Sequence, residues 1–374
     1  MRCGVLHRGL FVWSLTALLY GGAAAFASEA QPARSNAAPR SDLPAAVPLE
    51  PAIAHIALLV PADSSVFTHA AEAVKLGFLT AAKIQGSAPL PIRVYATTDD
   101  TGNVMSNYRR ALAGGARLVV GPLTRDGVTA LASSGRVAVP TLALNVLDGA
   151  YPLPPSLYVL SLQVEAEARQ VAQLAVNDGR LNAFSITGDT PLLRRIHEAF
   201  SEEFTRRGGR IVGKYGFTAN TAELGRIRQT LRSDRADMVF LALDFPQARL
   251  VRPYLGALAV YATSQIHPGR SAPLAGFDLA GVRFLDMPWL LQPDHPAVMV
   301  YPRPDFRDAL DLDRLYALGI DAFRVGLALL KREGSLPLDG VTGHLSLGPD
   351  NRFVRKLTGA QFAEGKLRIF AGHQ

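Results

Sequence analysis

Two α/β lobes, each a parallel sheet wound on both faces by helices and joined by several crossings of one polypeptide, are the fold this sequence predicts. Three observations carry the prediction. Short apolar runs alternate with amphipathic helical windows, the pattern of parallel sheets covered by helices. That alternation occurs in two successive sets. The chain then returns through a long helical window and a strand-turn pattern, where a plain tandem would simply stop.

The first set opens with the strand Ile56 to Val60, which breaks at Pro61 and leads to a helix with Ala70, Ala73, Val74, Gly77, Phe78 and Ala81 on one face. A strand from Arg93 to Asp100 follows, then a helix through Tyr108 and Leu112. Strands at Arg117 to Pro122, Thr141 to Asn145 and Leu157 to Ser161 complete this lobe. In the second set, Val164, Ala168, Val171 and Ala175 line one helix face at spacings of four, three and four. The strand Ala183 to Gly188 meets Thr190-Pro191, an N-cap followed by proline at the first helical position. That helix ends at Gly208-Gly209. A strand from Arg210 to Phe217 precedes Asn220 and Glu223 in capping-box spacing, with Leu224, Ile227 and Leu231 as the buried stripe. Strands at Met238 to Leu243 and Leu258 to Ser264 extend the second sheet.

After the apolar run Val282 to Leu291 comes a helix spanning Leu312 to Arg332, then the strand-turn pattern from Gly343 to Leu357. Such a return is what a type I periplasmic-binding-protein-like fold requires, with two doubly wound parallel-sheet lobes joined by several crossovers. Lobe 1 is expected at about 54–160 plus 286–333, and lobe 2 at about 161–285 plus 334–374. The long helix is expected to rejoin the first lobe, with Gly319 and Gly326 permitting close approach to its sheet. The alternative is a plain amphipathic helix of the second lobe.

Residues 1–27 read as a signal peptide: Arg2 and Arg8 precede an apolar run from Leu10, and Ala25-Phe26-Ala27 presents small residues at the cleavage positions. An uncleaved anchor is the alternative, because Leu10 to Ala27 carries no charge. The sole cysteine, Cys3, precedes the apolar run, so no lipid anchor is expected and the mature periplasmic protein has no thiol for a disulfide or metal site. Residues 28–53, rich in Ala, Pro and Ser, read as a disordered tether.

The formal charge is +7, or +5 once Arg2 and Arg8 leave, and the basic residues are dispersed. Phosphate binding needs clustered Lys and Arg, so nucleic acid is not an expected partner. Catalysis has no sequence support. The chain has no nucleophile elbow, zinc helix, phosphate loop or GxGxxG turn, so neither catalytic residues nor cofactors are assigned. Asp99 and Asp100 are adjacent in a strand end and face opposite ways, so they do not converge as an acid/base pair. The histidines show no metal-ligand spacing, and no metal is expected.

Open α/β sheets bind ligands beyond the carboxyl ends of their strands. That rule selects Asp63, Ser64, Ser65, Thr124, Arg125 and Asn145 from the first lobe. From the second it selects Thr187, Gly188, Asp189, Asp244, Ser264 and Gln265. Facing one cleft, these groups suit a small ligand such as an amino-acid carboxylate; each also suits a cap or turn role. In Gly121-Pro122-Leu123-Thr124-Arg125 the bulk of Leu123 and Arg125 crowds the mouth, which points to a small or absent pocket.

Three strings add to this reading: Tyr261 to Ile266 (YATSQI), Gly281 to Leu291 (GVRFLDMPWLL) and Arg314 to Phe323 (RLYALGIDAF). In this order they resemble the penicillin-binding-protein activator (LpoA-type) family, in its C-terminal periplasmic-binding-protein-like domain. Gly121 to Leu123 and Leu142 to Asn145 extend the likeness. The resemblance implies a non-catalytic protein that contacts a bifunctional penicillin-binding protein in cell-wall synthesis. Family members carry an N-terminal helical-repeat domain and a lipidated cysteine, where this chain shows a short tether and a cleavable signal. The alternative is a periplasmic solute receptor for an amino acid, amide or cell-wall fragment. Trp289 is either a partner anchor or a hinge-packing residue.

Overall fold

His55–Val60 (β1) is buried at every residue because helices cover both faces of its sheet. It pairs in parallel with Ile92–Ala96 (β2) and Ala116–Val120 (β3), and Thr141–Ala143 (β4) and Leu157–Val159 (β5) complete the order β2-β1-β3-β4-β5. Alternate residues serve opposite faces. Ile56, Leu58 and Val60 pack beneath Thr68–Ile84 (α1), while Ala57 and Leu59 pack beneath Thr101–Ala113 (α2) and Arg125–Ser133 (α3). In this computed structural model the described residues are 52–86, 88–149, 152–233, 235–269, 275–307, 309–331 and 337–370. The signal peptide and nearly all of the tether read from the sequence lie outside them.

The second lobe begins with Val164–Asn177 (α4). Asn182–Thr187 (β6), Pro191–Arg206 (α5), Arg210–Gly216 (β7), Thr221–Ser233 (α6) and Met238–Ala242 (β8) follow. Phe245–Val251 (α7), Ala259–Ala262 (β9), Ala275–Asp278 (α8) and Val282–Asp286 (β10) complete the parallel part. Helices α4 and α5 cover one face through Val171 and Phe200, and α6 and α7 cover the other through Ile227 and Ala248. Thr190 caps α5 with Pro191 at its first turn. At α6, Asn220 accepts from the Ala222 amide at 2.9 Å. The reciprocal capping box instead closes α7, between Asp244 and Gln247.

Beyond β10 the chain leaves this sheet through Pro288–Leu291 (α9) and Pro296–Met299 (α10) and enters Leu310–Lys331 (α11), which packs along α1. Two glycines set that spacing. A Cβ on Gly77 would stand 2.0 Å from the Tyr316 carbonyl oxygen, and one on Gly319 would stand 2.1 Å from that of Val74. Gly319 therefore admits a helix; only Gly326 approaches the sheet, against Leu118 and Val120.

Leu338–Asp339 (β11), His344–Leu347 (β12) and Phe353–Lys356 (β13) form a separate antiparallel sheet. Val341, Leu345 and Phe353 turn their side chains into the first-lobe core, so this segment is not part of lobe 2, where 334–374 had been expected as one block. Thr358–Ala363 (β14) and Lys366–Phe370 (β15) return to the second sheet, β14 antiparallel to β10 and β15 antiparallel to β14, burying Ala360 and Phe362. The chain crosses between lobes after β5, after β10 and after β13.

Candidate functional site

The crossings are joined by buried charge. Asp286 closes β10, Ser264 follows β9, Glu167 lies in the first turn of α4, and Arg314 lies just past the first turn of α11. Arg314 Nη2 donates to Asp286 Oδ2 at 3.0 Å and to the Ser264 carbonyl at 3.2 Å, linking the first-lobe helix to two second-lobe strand ends. Glu167 accepts from the Ser264 amide, and from its hydroxyl at 3.0 Å. From β13, Arg355 donates to the Ser161 carbonyl at 2.8 Å and to the Thr342 carbonyl at 3.0 Å, tying the first crossing to the third. Asp321 of α11 accepts from the Val341 amide at 3.0 Å and from the amide and hydroxyl of Thr342, both at 2.7 Å.

Burial sets the protonation of this network. Glu167 is pushed up to about 7, first by burial and then by the negative charge of Asp286. Burial opposes the charge of Arg314, yet Asp286 and Glu167 outweigh it and hold its pKa above the ordinary value. Burial also raises the Asp321 carboxyl and lowers the Arg355 guanidinium.

Two small cavities lie between the lobes. One, of about 240 Å³, is lined by Glu167, Ser264, Gln265, Asp286, Arg314 and Arg355 among others. The second, of about 210 Å³, has Arg125 and Asn145 on one side and Leu192 and Arg195 on the other. Four of the twelve strand-end residues singled out from the sequence therefore line these spaces: Arg125, Asn145, Ser264 and Gln265.

The others are placed elsewhere. Ser64 is buried and accepts from the amides of Val66 and Phe67, while Asp63 and Ser65 are exposed. Thr124 caps α3 and Asp244 caps α7. Gly188 is hemmed in by Leu193 and Gln247, and the carbonyl of exposed Asp189 is taken by Arg194. Thr187 is buried, and its hydroxyl has no hydrogen-bond partner among the described residues. Even the cavity residues are partly engaged. Arg125 pairs with Asp148 at 3.3 Å, and Asn145 donates to the Leu123 carbonyl at 2.9 Å.

Trp289 is fully buried in the first-lobe core, 5.3 Å from the Tyr316 ring, with the Arg303 guanidinium 4.5 Å over its face. Its indole faces no solvent, so it packs the crossing and presents nothing to a partner in this structure. The Ser185–His197 pair, at 2.7 Å, is likewise buried inside the second lobe. Among the described residues no group of three or more His, Cys, Asp or Glu is placed to hold a metal.

Glu167, Asp286, Arg314, Asp321 and Arg355 were not among the strand-end residues. Asp286, Arg314 and Asp321 nevertheless sit in the three strings that suggested a family, and Ser264 sits there too. A family model described as "LppC putative lipoprotein" matches residues 49–365. The chain belongs to the LppC family. This LppC chain is 26% identical over 330 residues to the protein named penicillin-binding protein activator LpoA in Pectobacterium parmentieri, covering 75% of this chain and 48% of that one. It thus spans about half the length of the curated relatives it matches. Among solved structures, one from Chromobacterium violaceum, described as a "putative branched-chain amino acid ABC transporter", is 42% identical with a TM-score of 0.70, covering 82% of this chain and 99% of that one. The C-domain of LpoA from Haemophilus influenzae, described as a regulator of PBP1A, is 20% identical with a TM-score of 0.69, covering 85% and 100%. The fold they share with the LppC chain is the type I periplasmic-binding-protein architecture. No described helix is long and apolar enough to cross a membrane.

Proposed function

We propose that this LppC-family protein is a non-catalytic regulator acting in the periplasm, where it contacts a bifunctional penicillin-binding protein and raises its peptidoglycan-synthesising activity. Family membership and the LpoA relatives support the reading. The observation that carries it is the occupancy of the inter-lobe space by the protein's own side chains. Arg314, Asp286, Glu167 and Ser264 fill the region where a receptor of this fold holds its solute. The cavity left beside them, about 240 Å³, is smaller than the ~300–1,000 Å³ of ordinary ligand pockets. A docking module needs complementary surface and no wet cleft. Addition of the purified protein to such a synthase with lipid-linked substrate should increase glycan polymerisation or cross-linking. Complex formation should be detectable by sedimentation, and a synthase that neither binds nor responds would exclude the reading.

A second reading is favoured by the 42% identity to the Chromobacterium violaceum protein and its description. As a solute receptor, the chain would be stabilised by about 2.7 kcal/mol with ligand at ~100 times its dissociation constant. Melting with leucine, isoleucine, valine, amides and soluble muropeptides separates the two: a saturable upward shift with one of them selects the receptor.

A further inference from the structure

A cavity of about 650 Å³ lies between α4 and the β12–β13 hairpin, on the flank of the hinge, adjoining the two inter-lobe spaces through Arg355, Leu357 and Gln163. We infer that this groove is a binding site for an extended acidic peptide segment of about six residues. The inference does not rest on the synthase reading.

Length, hydrogen-bonding chemistry and charge point the same way. One wall is a stripe running from Gln163, the N-cap of α4, through Gln170, Gln173 and Asn177 of the helix, spaced so that all line the groove. At 1.5 Å per residue, Gln163 to Asn177 spans about 21 Å, which an extended chain covers in about six residues at ~3.3 Å each. Carboxamides donate and accept, as peptide groups do. Gln170 already shows the match: its amide donates to the Arg355 carbonyl at 2.8 Å, and its oxygen accepts from the Leu357 amide at 3.0 Å, on the edge of β13. The carboxamides of Gln163 and Asn177 make no such bond among the described residues.

The charge is one-sided. Arg169, Arg352, Arg355 and Lys356 line the groove against a single carboxylate, Asp350. Asp350 holds Arg352 at 2.8 Å, and Glu202 stands 3.8 Å from Arg169, but Lys356 is exposed with no carboxylate partner among the described residues. A neutral peptide would leave that cation unmatched, whereas acidic side chains at alternate positions of an extended backbone share one face and would meet the hairpin wall of Arg352 and Lys356. Because the groove is lined by both lobes and by residues of the first and third crossings, an occupant would bridge them.

The test is titration calorimetry of the whole protein with acetyl-Glu-Ala-Glu-Ala-Glu-amide and its Gln-for-Glu counterpart. One-to-one saturable binding of the acidic peptide is expected, with the neutral one at least about tenfold weaker. Arg352→Gln with Lys356→Gln should weaken the acidic peptide by about tenfold, and Gln163→Ala with Asn177→Ala should weaken it by about threefold. Arg125→Gln, at the inter-lobe mouth, should change nothing. If the Arg352 variant does not fold, Lys356→Gln alone carries the charge test, because that side chain is exposed and has no carboxylate partner among the described residues. Absence of binding, equal binding of both peptides, equal binding of free glutamate, or a loss as large with Arg125→Gln as with the groove variants would each overturn the inference.

Discussion

Replacing Arg314 by methionine removes the cation but keeps most of the side-chain volume. Among the described residues it leaves Asp286, whose side chain is 3% exposed, with the 2.8 Å bond from the neighbouring Met287 amide, and leaves Arg355 as the one cation acting on both Asp286 and Glu167. Breaking a buried pair by removing one partner costs about 3–5 kcal/mol, because the surviving charge stays desolvated. Unfolding entropy of ~2.1 cal/mol/K per residue over about 320 folded residues is roughly 0.7 kcal/mol/K, so the melting temperature should fall by roughly 4–7 °C. Removing Asp286 as well, in Arg314→Met with Asp286→Leu, should recover more than half of the loss. Arg125→Met, which opens the exposed pair with Asp148, should cost less than about 1 kcal/mol. Thermal melts by circular dichroism, with urea midpoints beside them, give all three comparisons. A single Arg314→Met variant within about 1 kcal/mol of the parent, or a double variant no better than the single, would show that this pair does not hold the crossings.

Further outcomes follow from the same packing. Gly319→Ala should destabilise by about 1–3 kcal/mol or more, because the new Cβ meets the backbone of α1 at Val74 and Phe78; Gly225→Ala, with open space around it in α6, should be neutral or stabilising by up to about 1 kcal/mol. Urea denaturation reads both, and equal effects would refute the close-approach argument. Glu167 has a folded value of about 7 above its ordinary 4.5, so the stability its protonated form provides is complete below about 4.5 and is lost as pH rises through about 7. Glu167→Gln should therefore match the parent near pH 4.5 and exceed it above pH 7 by on the order of 1–3 kcal/mol, and a pH-independent difference would remove the argument. Trp289→Ala should cost about 3–5 kcal/mol, and an unchanged melting temperature would contradict its packing role.

The strands were legible because parallel strands covered on both faces read as continuous apolar runs, and β1 and β8 carry such runs. Caps were legible where chemistry and position coincide, as at Thr190-Pro191. The attachment of β12 and β13 was not. Leu345 inside and Ser346 outside is the same half-buried pattern in either lobe, and only the core that receives Leu345 and Phe353 decides between them. Gly319 announced a close approach, expected to the sheet, and the neighbour is α1. At the site, strand-end position proved a coarse guide, because helix N-termini compete for the same hydroxyls and carboxylates: Ser64, Thr124 and Asp244 serve amides of their own turns. The hinge charges were hidden for a different reason. In sequence, Arg314 beside Asp311 and Asp313 looks like an ordinary exposed first turn, and Glu167 like the polar edge of an amphipathic helix.

The three family strings gain a physical meaning from where they meet. Residues 261–266, 281–291 and 314–323 belong to different elements, yet Arg314 donates to both Ser264 and Asp286 while Trp289 packs on Tyr316. A solute receptor must let its lobes part at little cost. Here parting would first stretch the 3.2 Å contact from Arg314 to the Ser264 carbonyl and then strip a buried guanidinium of its acceptors, against a penalty of about 1–3 kcal/mol for each charged hydrogen bond lost. Contacts of this kind favour a fixed lobe arrangement, and a fixed arrangement presents one surface. That is the property the proposed partner-docking role requires, and it gives Ser264, Asp286 and Arg314, which line the inter-lobe cavity, a part in holding the lobes together.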